Sequence, residues 1–487
     1  MSELQLQGEV QQQEGVSLKP AQVQAWLQEI DSRREKEKDW RKDAAKIIEI
    51  YEGYNRETCP FNILYSNTDT LAPALYNNTP RPAVGKRYKD TDPLAAAVAL
   101  TMNRTLSYTM DNNCGADTPF DELVKGTIIS ALVPGRGVVR WKYVAEYDEG
   151  VEQPDTVEVI KNPSIEGDAI QEEESAEEGS IPPQIHGEKV VGESVAYDRI
   201  IFGYYTKWSE LPWLAFEHHM TEDELIENFG FELGSKVKVA KLDTEGCTPQ
   251  QQKQQDTRKI ALVYELWDKN SKKVYFLTPG NTTIVLKEAQ DPLNLTGFFP
   301  CEEPLHFMHK LSSTVPQPLF NLYREQADEL NMITRRITAI INALKVRGAF
   351  DSTCPEFSKI FESDDCVLVP LDNVAFSETA LKDKIFLMPL SELINVLQQL
   401  YVQREQIKQV IYEITGISDI IRGSSVASES ATAQKIKNQW GTLRLKEMQK
   451  RVTVWCVNNL RIIAEMSASK FSIDTFKMMT GLPYVDE

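Results

Sequence analysis

Apolar residues recur at three- and four-residue intervals over 19–53, where Trp26, Ile30, Trp40, Ala44, Ile47, Ile48 and Tyr51 mark one face of an otherwise polar stretch. That period predicts an amphipathic helix. Residues 61–88 are rich in Asn and Pro and read as a mixture of short strand and helix. Helices are expected at 93–112 and 119–133, after which Gly135-Arg136-Gly137 turns into a strand over 138–147. Alternation predicts a strand over 195–205. A short helix over 221–229 ends at Gly230, and 261–267 with 273–276 form an antiparallel pair around a polar turn at 268–271. Residues 278–286 carry a Pro-Gly turn of their own. From residue 316 the pattern becomes helical, at 316–348, 389–415 and 433–471. The second of these helices carries Leu393, Leu397, Leu400, Ile407, Ile411 and Ile414 on one stripe. The third carries Leu445, Met448, Val452, Trp455, Ile463 and Met466. Strand-rich sequence followed by long helices predicts an α+β fold.

The 487 residues leave room for two to four structural units, and 41% hydrophobic with 9% aromatic residues means a folded chain. The formal charge of −19 argues against a protein that coats nucleic acid, because phosphate neutralisation requires clustered Lys and Arg. It does not exclude one that lets nucleic acid pass without holding it. Residues 146–187 hold 13 acidic residues and one base, Lys161, so −12 of the −19 lies there, among Pro154, Pro163, Pro182 and Pro183. This reads as a solvated, mobile excursion: a hairpin with a disordered tip. Residues 1–16 are Gln- and Glu-rich with no apolar core, which does not fit a signal peptide, and a disordered N-terminus is expected over 1–18. No stretch approaches the roughly 18 apolar residues of a membrane span. Cys59, Cys114, Cys247, Cys301, Cys354, Cys366 and Cys456 are scattered with no CxxC pair, the pattern of reduced thiols in a cytosolic protein.

The search for catalytic chemistry comes back empty. Gly85-Lys86-Arg87 lacks the first glycine and the Ser/Thr of a phosphate-binding loop. The PGRGVV phrase at 134–139 lacks a third glycine and follows a helix, so a tight turn is expected rather than dinucleotide binding. His218-His219 would point apart in a strand, and His306 and His309 have no accompanying carboxylate motif, so packing or surface roles are expected rather than a metal site. No nucleophile elbow or Cys/His signature occurs. No cofactor and no enzymatic activity are expected. The helix over 316–348 carries Glu325, Asp328 and Glu329 early and Arg335, Arg336, Lys345 and Arg347 late. Either these charges complement the helix dipole, or the bases form a collar when several copies surround an axis.

Five phrases, in order, resemble the portal (head-to-tail connector) proteins of tailed bacteriophages, especially short-tailed ones. They are FNILYSNTDTLAPALYNNTPRPAV (61–84), KWSELPWLAFEHHMTEDELIENFG (207–230), ELWDK (265–269) with DPLNLTGFFPCEEPL (291–305), PLFNLYREQADELNMITRRI (318–337), and EITGISDIIRGSS with SATAQKIKNQWGTLRLKEMQKRV (413–452). The resemblance runs from about residue 26 almost to the end of the chain.

It implies a subunit with a β-rich wing, a long helical stem, a small clip and a helical crown, assembled as a ring, generally of twelve copies. The wing would be 19–308, with 146–195 as an acidic insertion that matches no family phrase. Stem helices would be 309–348 and 389–415, with the clip at 349–388 between them. A tunnel loop at 416–432 would line the channel, a long wing and crown helix would follow at 433–471, and 472–487 would be a small crown or a truncated C-terminus. Gly416 and Gly423 would permit unusual backbone angles in the loop, and Ser424, Ser425, Ser428 and Ser430 would give it a hydrated surface. Arg422 would meet phosphate or pair with Asp419 or a neighbouring subunit, while Asp419 and Glu429 would repel DNA. Arg335, Arg336, Lys345 and Arg347 would be the basic positions of the stem, and Gly441 a kink in the long helix.

The implied partners are further copies of the chain (a dodecamer), the terminase large subunit, major capsid and scaffolding proteins, tail adaptor proteins and double-stranded DNA in transit, with no membrane. The implied location is the portal vertex of the virion, after assembly in the host cytoplasm. A neck or adaptor ring of the virion is the first alternative, and a cytosolic hydrolase with an unrecognised site the second.

Overall fold

The computed structural model describes residues 18–53, 59–77, 79–86, 92–111, 119–147, 185–241, 259–308, 313–343, 348–350, 385–387, 390–417 and 431–482. Among them the chain is α+β. Four helices come first: α1 (Pro20–Glu52), α2 (Ile63–Leu75), α3 (Pro93–Asp111) and α4 (Phe120–Leu132). Strands β1 (Val138–Tyr147) and β2 (Ile185–Val195) form an antiparallel pair. A six-stranded sheet follows, from β3 (Ile200–Phe202), β4 (Trp213–Met220), β5 (Ala240–Lys241), β6 (Lys259–Asp268), β7 (Lys273–Leu277) and β8 (Lys287–Gln290), with α5 (Glu222–Gly234) between β4 and β5. Helix α6 (Arg324–Ala343) leads to the short pair β9 (Gly348–Phe350) and β10 (Ile385–Leu387), and α7 (Leu390–Thr415), α8 (Ala431–Lys470) and α9 (Ile473–Thr480) complete the chain. Two compact units result, one from Met1–Tyr51, Thr68–Asn321 and Thr442–Glu487, the other from Glu52–Asn67 and Leu322–Gly441.

In the first unit the sheet order is β3-β4-β6-β7-β8, antiparallel throughout, with β5 added beside β6. Both faces of its central strands are covered, which is why WLAF and LVYELW read as near-continuous apolar runs. Val23, Leu27 and Ile30 of α1 pack on one face, against Ile201, Trp213, Ala215, Tyr264, Leu266, Tyr275 and Leu277. The alternate residues Phe216, Glu265 and Trp267 are buried too, and Arg140 of β1 lies over the Phe216 ring. Helix α4 packs on β1 and β2: Phe120 stacks on Trp141, and Gly137 sits so close to Thr127 that a Cβ would lie 2.3 Å from its carbonyl oxygen. Helix α9 is fastened at its start. Glu188 of β2 accepts the Tyr143 hydroxyl (2.6 Å), the Ser472 N–H (2.7 Å) and the Thr475 hydroxyl (2.5 Å).

Local sequence accounts for most boundaries. Thr221 and Glu224 form a capping box that starts α5, and Gly230 breaks its helical path at φ +77°. Asp268 accepts the Asn270 N–H and the Ser271 hydroxyl, which closes the β6–β7 turn expected at 268–271. Other expectations are corrected. Residues 61–86 hold no strand among those described: Asn62 accepts the Tyr65 N–H (3.0 Å) and launches α2. Regular pairing resumes at Ile185, ten residues before the alternation suggested, and the expected strand over 195–205 is broken into the end of β2 and the short β3. The helix expected over 316–348 begins only at Arg324, because Pro316 and Pro318 each lack an N–H and hold the preceding residue out of helical geometry. Gly348, its expected last residue, belongs to β9. Gly441, the expected site of a kink, lies inside α8, which is unbroken there. Most of the acidic stretch, 148–184, lies outside the described residues.

Candidate functional site

The helices expected to carry function, α6 and α7, pack against each other in the second unit. Helix α6 turns Ala327, Leu330, Ile333 and Ile337 inward and α7 buries Leu400, Ile407 and Ile411, the three-four spacing of packed helices. Asn331 ties this pair to the 59–61 segment. Its Oδ1 accepts the Phe61 N–H (3.0 Å), and its Nδ2 lies 3.3 Å from Cys59 Sγ. Lys408 of α7 stands over the Phe61 ring at 5.8 Å. Burial pushes the Cys59 thiol up, as expected of a packed rather than reactive cysteine. Replacing Asn331 with Ala strands the Phe61 N–H, and urea melting should show a loss of about 1–3 kcal/mol.

The exposed surface of the pair mixes apolar with charged and amide side chains, and Ile341 and Val396 continue the two inward stripes. Met332 and Ile341 of α6, with Ile394, Val396, Tyr401, Val402 and Val410 of α7, are 41–59% exposed. Arg335 and Arg336 are exposed beside them. They stand about two turns before the end of α6, beyond the reach of its dipole, and the last turn carries no base. The dipole therefore does not account for these two arginines. Lys345, Arg347, Asp419, Arg422, Ser424, Ser425, Ser428, Glu429 and Ser430 lie outside the described residues, as do Gly423 and His309. The lead into 418–430 is described: Gly416 takes φ +74°, its N–H bonds the Tyr412 carbonyl (2.8 Å), and Ile417 is buried. A left-handed glycine ends α7 there, in keeping with the unusual backbone expected of Gly416.

The first unit holds two buried ion clusters that sequence reasoning missed. In one, Arg140 Nη2 donates to Glu265 Oε1 (2.7 Å), Trp267 Nε1 donates to the same oxygen (2.8 Å), and His218 Nε2 lies 2.8 Å from Oε2. Burial raises the Glu265 carboxyl, but Arg140 and His218 outweigh it and hold the group down to about 2. In the other, Glu37 of α1 pairs with Arg41 (3.2 Å) and with Arg136, whose guanidinium stacks 4.4 Å over the Trp40 ring. Arg41 and Arg136 both reach the Ile200 carbonyl. Glu217 lies 3.7 Å from Arg41 and 3.9 Å from Arg34, and burial raises it despite them. The signal was there: VPGRGVVRW and ALVYELW each set charges inside apolar runs, where a charge is buried and must be paired.

These clusters bind α1, β1, β4 and β6 together. His218 pairs with Glu265, whereas the Nδ1 of His219, the next residue along β4, is buried without a hydrogen bond among the described residues, and burial pushes His219 down to about 4. The His306 Nδ1–H donates to the Gly135 carbonyl (2.8 Å). No group of three or more His, Cys, Asp or Glu is placed to hold a metal among the described residues. No helix among them is long and apolar enough to cross a membrane. No protein-family model matches the chain, and no curated protein matches it.

Proposed function

We propose that the chain is a portal subunit of a tailed bacteriophage: one copy of a ring through which an external ATPase drives double-stranded DNA into the capsid and through which the DNA later leaves. The observation that carries this reading is the ordered series of five portal-like phrases between 61 and 452. The helix pair α6–α7 supports it, because Met332, Ile394, Tyr401 and Val402 stand exposed outside its packed stripe, apolar surface that neighbouring copies would cover.

In this reading α6 and α7 are the stem and β9 and β10 belong to the clip, where the terminase large subunit and later the tail adaptor proteins dock. Residues 416–432 form the tunnel loop, with Arg335 and Arg336 as basic stem positions. The ring sits at one vertex of the virion, in contact with the major capsid protein and, during assembly in the host cytoplasm, with scaffolding protein. The subunit is a passive conduit and not an enzyme.

Light scattering and negative-stain imaging of the purified chain test this directly. Closed rings are expected, and a chain that stays monomeric at every salt concentration overturns the reading. Deleting 424–430 should leave rings intact while DNA packaging or retention falls. Rings that fail to form would make the loop a structural element instead.

A further inference from the structure

An open cleft of about 360 Å³ lies in the first unit between the 302–306 segment and α8. Its walls are tied at two points. Asn458 Nδ2 donates to Glu302 Oε1 (3.2 Å), and Arg451 Nη1 donates to the Phe307 carbonyl (3.1 Å). Seven helical residues separate these ties, about 10 Å along the helix axis. Charge is sorted along that length. Glu302 and Glu303 belong to the Asn458 end. Lys450 and Arg451 stand at the other end, where Glu447 lies 3.9 Å from Arg451 and offsets part of its charge. Half-exposed Val454 and buried Trp455 line the stretch between.

At the acidic end Arg461 donates to Asn458 Oδ1 (3.1 Å) and offsets part of the Glu302 charge from outside the cleft lining. Glu302 accepts from Asn458, and the Glu303 carboxylate makes no side-chain hydrogen bond or ion pair among the described residues. Burial pushes both carboxyls up, and for Glu303 the neighbouring Glu302 adds to it. Arg451 is already committed to the Phe307 carbonyl, so it does not serve as their counter-charge. A surface cleft with opposite charges at its ends and an aromatic floor between them suits a ligand with the reverse polarity.

We propose that this cleft docks an extended peptide segment of a partner protein, with a Lys or Arg side chain on Glu302 and Glu303, an apolar side chain on Val454 and Trp455, and a carboxylate on Lys450. At about 3.3 Å per extended residue, a base and an acid three positions apart span the roughly 10 Å between the two ends. The site is separate from the α6–α7 surface and does not depend on the ring reading.

Calorimetric titration of the full chain with the probe acetyl-Arg-Ala-Leu-Asp-amide tests the proposal. Saturable binding is expected with a dissociation constant on the order of 1 mM, the scale of a short peptide held by two charge pairs and one apolar contact. Replacing the probe's Arg with Ala should weaken binding at least tenfold, and so should Glu303→Gln or Val454→Asp in the protein. Both protein positions face solvent, so urea melting should show both variants folded. No saturation up to about ten times that concentration overturns the proposal. Equal affinity for the alanine probe, or for Glu303→Gln, overturns it as well.

Discussion

Replacing Val402 and Val410 together by Asp should leave the isolated chain as stable as its parent and abolish its assembly. Both side chains are already in water, 59% and 44% exposed, with Val402 opposite the Leu400, Ile407 and Ile411 stripe of α7 and Val410 on its flank. Exposed substitutions of this kind usually move folding stability by no more than about 0.5 kcal/mol. In a ring the same positions would be pressed between copies. Each buried aliphatic side chain contributes about 1.5–3 kcal/mol there, and an unpaired carboxylate in its place costs several more. Every subunit contact would carry the defect, so light scattering should report monomer while urea melting stays unchanged. Rings that form normally would remove α6–α7 from the contact between copies.

The second large effect concerns stability. Glu265→Ala leaves Arg140, 3% exposed, without its carboxylate, and should cost about 3–5 kcal/mol in urea melting. The parent should also weaken in acid. Glu265 is held at about 2, below the ordinary carboxylate range near 4.5, so its contribution is complete above the unfolded value and is lost as the pH falls toward 2. Glu217 works the other way, since its carboxyl is raised and acid relieves its burial. The measurement is therefore a difference. Melts of parent and Glu265→Ala at pH 7, 4 and 3 should converge as the pH falls, and a constant gap would mean that the ion pair does not titrate with folding.

The sequence made the elements legible wherever one period dominated. Helices α1 and α7 stand close to where their apolar stripes put them, because each buries one continuous stripe, and the β6–β7 hairpin does so because a polar turn at 268–271 divides two apolar runs. It misled where local chemistry overrode the stripe. Pro316 and Pro318 delayed α6, and Asn62 turned an Asn-rich stretch into α2. Of the candidate site, the sequence names residues whose exposure alone the structure describes. Arg335 and Arg336 are exposed on α6, but nothing in the spacing of their neighbours announced that Tyr401 and Val402 of α7 stand exposed among glutamines. The ion clusters escaped because their partners are far apart in sequence: Arg140 and Glu265 are separated by 125 residues, and Glu37 and Arg136 by 99. Only folding brings them together.

The fastening of β1 and β2 has a consequence for how such a chain diversifies. Their ladder runs from Val138 opposite Val195 to Tyr147 opposite Ile185, and Glu188 locks its outer part to α9. Chain therefore departs and returns at adjacent, firmly held points. For a flexible connection, each doubling of length adds only about 0.6 kcal/mol of closure cost. The end of this ladder is thus a permissive port, where a segment as long and as acidic as 148–184 can be lengthened, trimmed or exchanged between lineages while the sheet beneath keeps its register.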